Sequence, residues 1–122
     1  MNPLREHLSS DEIKAVEGFD KRLLSEFGQD VLDVRVFGSK ARGEAGPDSD
    51  LDILVLVRRS DYAVKHAILW LASEVSLDFD VLLSPRVVPL MAWQQMAQAD
   101  TLFYRTVRNE GISLTKQPRI PA

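Results

Sequence analysis

The chain has 122 residues, 45% of them hydrophobic and 27% charged, a balance that suits one globular domain with one core. A net charge of −3 supplies no global basic field for a long nucleic acid, and the absence of cysteine excludes disulfides and thiolate metal sites. The N-terminus is too polar for a signal peptide and no apolar run reaches the ~18 residues of a membrane span, so a cytoplasmic protein without membrane contact is expected.

Ser9 or Ser10 can cap a first helix, with Asp11 and Glu12 in its opening turn. Ile13, Val16, Phe19, Leu23 and Phe27 then recur at spacings of three and four, which predicts a helix over 10–27 closed by Gly28. A strand follows over 31–37. Gly38-Ser39 is a turn, with a short helical piece around Lys40–Arg42 and a loop from Glu44 to Ser49. Residues 51–57 form a nearly continuous apolar run, the pattern of a central strand covered on both faces. A helix capped by Ser60 or Asp61 is predicted to about Glu74, its apolar side including Tyr62, Trp70 and Ile68.

The alternation Leu-Asp-Phe-Asp-Val-Leu-Leu over 77–83 predicts a third strand, ended by Ser84-Pro85. Helices are predicted over 88–97, with Pro89 in the first turn, and over 101–109, capped by Asp100 and ended by Gly111. Residues 112–114 suit a short edge strand. The expected organisation is a single domain over 1–114 with a loose tail over 115–122. The order implies an α+β fold, a small mixed β-sheet with helices packed mainly on one face.

The chemistry concentrates in Gly38-Ser39-Lys40-Ala41-Arg42-Gly43, a short loop, and Ser49-Asp50-Leu51-Asp52. Gly38 lets a phosphate approach the backbone, Ser39 adds a hydroxyl, and Arg42 can offer a planar fork to phosphate oxygens. Asp50 and Asp52, two apart on a strand, project to one face and repel unless a cation sits between them. Mg²⁺ answers that need, because it binds through one or two carboxylates together with substrate phosphates. A third carboxylate would complete a two-metal site, and the 77–83 strand offers Asp78 or Asp80, with Asp80 deeper in the apolar alternation.

These residues resemble the signature of the nucleotidyltransferase superfamily that includes DNA polymerase β, and the small size is similar to its minimal nucleotidyltransferase branch. The likeness spans roughly residues 34–83 and a closing-helix run over 103–111. It implies transfer of a nucleoside monophosphate, AMP from ATP, to a hydroxyl acceptor with release of pyrophosphate. By that resemblance Gly38, Ser39, Arg42 and Ser49 fall on the triphosphate-binding signature, while Asp50, Asp52 and Asp80 fall on the catalytic, Mg²⁺-binding carboxylates. Members of the branch act beside a small helical HEPN-type protein, resembling antitoxins that silence a partner toxin by adenylylation. Two other functions compete: a catalytically lapsed module that neutralises a partner by binding alone, and an aminoglycoside-type transferase acting on small molecules. The chain is too short for a separate substrate domain, so the acceptor is expected to come from a partner or a second copy in a homo-oligomer.

Other residues read as structural. His66 suits packing or the surface, and Trp70 and Trp93 suit core or partner packing. Arg58 and Arg59 suit a solvated strand end. Tyr104, Arg105 and Arg108 suit local packing and ion pairs on the closing helix, and Lys40 suits an exposed position.

Overall fold

The computed structural model describes residues 3–44, 46 and 49–114. The tail expected from residue 115 lies outside them. Among the described residues there are six α-helices: α1 (Pro3–His7), α2 (Ser10–Phe27), α3 (Ser39–Arg42), α4 (Tyr62–Phe79), α5 (Leu90–Ala99) and α6 (Leu102–Glu110). Four strands, β1 (Val31–Phe37), β2 (Leu51–Val57), β3 (Leu83–Pro89) and β4 (Ile112–Ser113), form one sheet in the order β3-β2-β1-β4. β1 runs antiparallel to β2 and β4, and β2 runs parallel to β3. This is the expected α+β fold with a mixed sheet.

Local sequence explains the first half closely. Ser9 caps α2 in a reciprocal box: its hydroxyl accepts the Glu12 backbone N–H at 3.1 Å, and its own N–H donates to Glu12 Oε1 at 2.9 Å. Ala15, Val16, Phe19 and Leu23 bury the predicted face, and Gly28 closes the helix at φ 55°. In β2, Leu51, Ile53, Val55 and Val57 enter the core under α2 and α4, while Leu54 and Leu56 enter a second core with Trp93 and Val107 from α5 and α6. The strand is covered on both faces, as its unbroken apolar run requires.

The second half departs from expectation. The alternation over 77–83 does not form a strand. α4 continues to Phe79, and Asp80 caps it in the left-handed conformation at φ 53°. Helical phase wins because Phe79 lies four residues after Val75 and seven after Ala72, continuing the buried stripe of Ile68, Ala72 and Val75. Gly18 on α2 makes room for it, since a Cβ there would lie 3.2 Å from the Phe79 ring. Tyr62 and Trp70, expected on the apolar side, are instead exposed.

The third strand forms later, over 83–89, straight through Ser84-Pro85. Proline is tolerated because β3 is an edge strand that pairs only with β2. The next helix starts at Leu90 after Pro89 as its cap, and the last is capped by Thr101 while Asp100 closes the helix before it.

Candidate active site

β1 and β2 bring the signature together. Phe37 pairs with Asp52 across the antiparallel ladder, so the turn that follows Phe37 lies against that carboxylate. Gly38 holds φ 78°, and a Cβ on it would sit 2.5 Å from Asp52 Oδ2. Only glycine meets both conditions, the positive φ and the close carboxylate.

Asp52 shares its strand face with Leu54 and Leu56, and Asp50 is exposed just before the strand begins. Burial first, then the Asp50 carboxylate, pushes the Asp52 carboxyl above its ordinary 3.8, while Arg86 and Arg42 pull it back down. A desolvated carboxylate repelled by its neighbour is a site short of positive charge. Two hard oxygen donors of this kind fit one divalent cation such as Mg²⁺.

The remaining signature residues divide between contact and scaffold. Arg42 spends its fork on protein: Nε donates to Glu44 Oε2 at 2.9 Å and Nη1 to Glu110 Oε2 at 2.8 Å. It thereby ties α3 to the end of α6. Ser39 is half-buried at the start of α3, and its carbonyl accepts the Glu44 N–H at 3.0 Å. Ser49 is exposed at the loop's far end, where its N–H donates to the Gly46 carbonyl at 3.2 Å.

Two expectations need correction here. The first is Lys40, which is buried rather than exposed. Its ammonium meets Glu12 Oε2 at 2.7 Å and donates to the Gly46 carbonyl at 3.1 Å, bridging α2 and the signature loop. The second is the third carboxylate. Asp78 stands on α4 and pairs with Arg22 at 3.0 Å, and Asp80 caps the same helix, so neither lies on a strand beside β2. Among the described residues no three acidic or histidine side chains gather to hold a metal. Asp80 instead lines a cleft that Ser49 also borders.

The strand beside β2 carries different chemistry. Ser84 pairs with Asp52 and Arg86 with Leu54. The Arg86 guanidinium lies 5.6 Å from the centre of the Phe103 ring, a cation–π contact that steadies an exposed side chain. Arg86 makes no ion pair among the described residues, unlike Arg42, so its charge is free to meet an anion. Sequence reading missed Arg86 because Ser84-Pro85 signalled a strand end, and it missed the Glu12–Lys40 bridge although Ser9-x-x-Glu12 marked a capping box. Trp93 is buried against Tyr104 at 4.9 Å between ring centres, whereas Trp70 is exposed and His66 lies tilted against exposed Tyr62 at 4.4 Å. No helix among the described residues is long and apolar enough to cross a membrane.

A carboxylate pair beside a glycine turn, on a four-stranded mixed sheet, is an arrangement suited to nucleotidyl transfer. The chain belongs to the nucleotidyltransferase domain family, whose model matches residues 16–107, and it is a nucleotidyltransferase. It is 42% identical over 67 residues to a Methanocaldococcus jannaschii protein named "Putative protein adenylyltransferase MJ0141", covering 53% of this chain and 68% of that one. A crystal structure of a toxin-antitoxin with AMP-PNP shares the fold at TM-score 0.55 and 24% identity, covering 81% of this chain and 72% of that one. A mutant of the toxin-antitoxin MntA-HpeT matches at TM-score 0.53 and 25% identity, covering 81% and 71%.

Proposed function

We propose that this nucleotidyltransferase moves AMP from ATP to a hydroxyl on a partner protein, a small helical HEPN-type toxin that the transfer silences. The observation that carries the reading is Asp52, half-buried against the Gly38 turn with the exposed Asp50 carboxylate as its like-charged neighbour. The names of its relatives support the finer points: one is named a protein adenylyltransferase, and a toxin-antitoxin neighbour was crystallised with AMP-PNP.

Asp50 and Asp52 would hold Mg²⁺, which neutralises phosphate charge and lowers the barrier to attack at phosphorus. The chain's own residues supply position. Gly38 admits the triphosphate to the backbone, and the Ser39 hydroxyl offers a donor at the start of the signature loop. Arg86 receives the leaving phosphates with its unpaired guanidinium. Arg42 keeps the loop in register through Glu44 and Glu110. The acceptor oxygen forms a bond to the α-phosphorus, the bond from that phosphorus to the bridging oxygen breaks, pyrophosphate departs, and the hydroxyl proton passes to solvent.

The test is co-incubation with a helical partner protein, labelled ATP and Mg²⁺, read by intact mass. The expected result is an added AMP on a hydroxyl side chain, absent with Asp50→Asn or Asp52→Asn. An unchanged partner mass beside normal MgATP binding would favour a module that acts by binding alone.

A further inference from the structure

We infer that the cleft behind the signature loop is the docking site for the acceptor, and that it selects a basic, partly apolar polypeptide segment. The inference rests on the protein-acceptor reading above. The cleft, about 500 Å³, is formed by the start of α2, the end of α4 and the approach to β3. Asp11, Asp80 and Ser49 line its polar side, and Leu77 and Leu82 line its apolar side.

Three observations converge on the occupant. The first is charge. Lys40 and Glu12 in the cleft neutralise each other in their ion pair, while Asp11 and Asp80 are exposed and make no ion pair among the described residues. Among the described residues the cleft is therefore net negative, which favours a cationic occupant over a triphosphate. The second is exposed apolar surface. Leu77 is 84% and Leu82 60% exposed, and both flank the same opening. Side chains of this kind at the edge of a cleft mark contact with another chain. The third is position. Ser49 borders the cleft and Asp50 follows it in the chain, so the cleft opens at the start of β2 where the carboxylate pair begins. A cationic segment with leucine-sized side chains satisfies all three.

The test is fluorescence polarisation of the intact protein with two short labelled peptides. One alternates Arg and Leu around a Tyr, and the other replaces each Arg with Glu. The basic peptide is expected to bind about tenfold more tightly, with an advantage that shrinks at high salt. Asp11→Asn and Leu77→Lys, both on exposed positions, are expected to weaken it about threefold or more while leaving MgATP affinity unchanged. Equal binding of the two peptides, binding of neither, or indifference to both variants would overturn the inference. Loss of MgATP binding by the unaltered protein would instead overturn the nucleotidyl-transfer reading, because the peptide measurement does not depend on it.

Discussion

Lys40 Nζ and Glu12 Oε2 stand 2.7 Å apart, joining the signature loop to the first turn of α2. Glu12 also closes the capping box with Ser9, and Lys40 also holds the Gly46 carbonyl. The helix start and the signature loop are therefore one hydrogen-bonded unit, and a change at either end is felt at the other.

Lys40→Met should accordingly cost about 1–3 kcal/mol in urea unfolding, because it strands a largely buried carboxylate and a carbonyl. Adding Glu12→Gln should recover part of that loss, a coupling that a double-mutant cycle measures directly. Strict additivity would mean that the pair stabilises nothing.

Acid should act through the same bridge. Burial raises the Glu12 carboxyl, but hydrogen bonds from Lys40 and Ser9 outweigh it and hold the group below its ordinary 4.5. A depressed carboxyl contributes stability that is full above pH 4.5 and is lost as pH falls through the folded value. Melts taken from neutral to acidic pH should show a steeper loss for the unaltered protein than for Glu12→Gln.

Asp52 carries the opposite sign. Burial and Asp50 raise its carboxyl, so the folded state binds more protons than the unfolded state above pH 3.8, and stability falls as pH rises through that window. Without metal, Asp52→Asn should keep or raise the melting temperature while abolishing transfer. Mg²⁺ should raise the melting temperature of the unaltered protein and not that of the variant. A variant that melts lower and still responds to Mg²⁺ would contradict this assignment.

Gly38→Ala should damage catalysis more than folding. The left-handed φ costs about 1–2 kcal/mol with a side chain present. The new Cβ would also meet Asp52 Oδ2 at 2.5 Å and displace it. Turnover of labelled ATP is expected to fall about 100-fold, the scale of a misplaced catalytic group.

Arg86→Met should lower kcat/KM for ATP by about 10–100-fold, the worth of one charge-assisted hydrogen bond of about 1.5–3 kcal/mol. Arg86→Lys should recover part of it, keeping the charge without the fork. Ser84→Ala on the same strand serves as the comparison and should change the rate little.

The signature loop, the carboxylate pair, α2, β1 and β2 were legible from the amino-acid order because short-range rules govern them. A capping serine with glutamate three residues on, apolar spacings of three and four, and an unbroken apolar run each name their element without reference to the rest of the chain. The segment over 77–83 defeated those rules because Leu-Asp-Phe-Asp alternates as a strand would, while Phe79 also continues the helical stripe of α4. Only the notch at Gly18, about 60 residues earlier, settles the contest in favour of the helix. That one decision moves Asp80 off the sheet, slides β3 to 83–89, and brings Arg86 rather than a carboxylate up beside the strand of Asp52. Sequence by itself determined the family signature, the Gly38 turn followed by Asp50 and Asp52, and the strands that carry it. Tertiary packing alone decided which of them meet, because burying Phe79 and Lys40 depends on partners that local order cannot see.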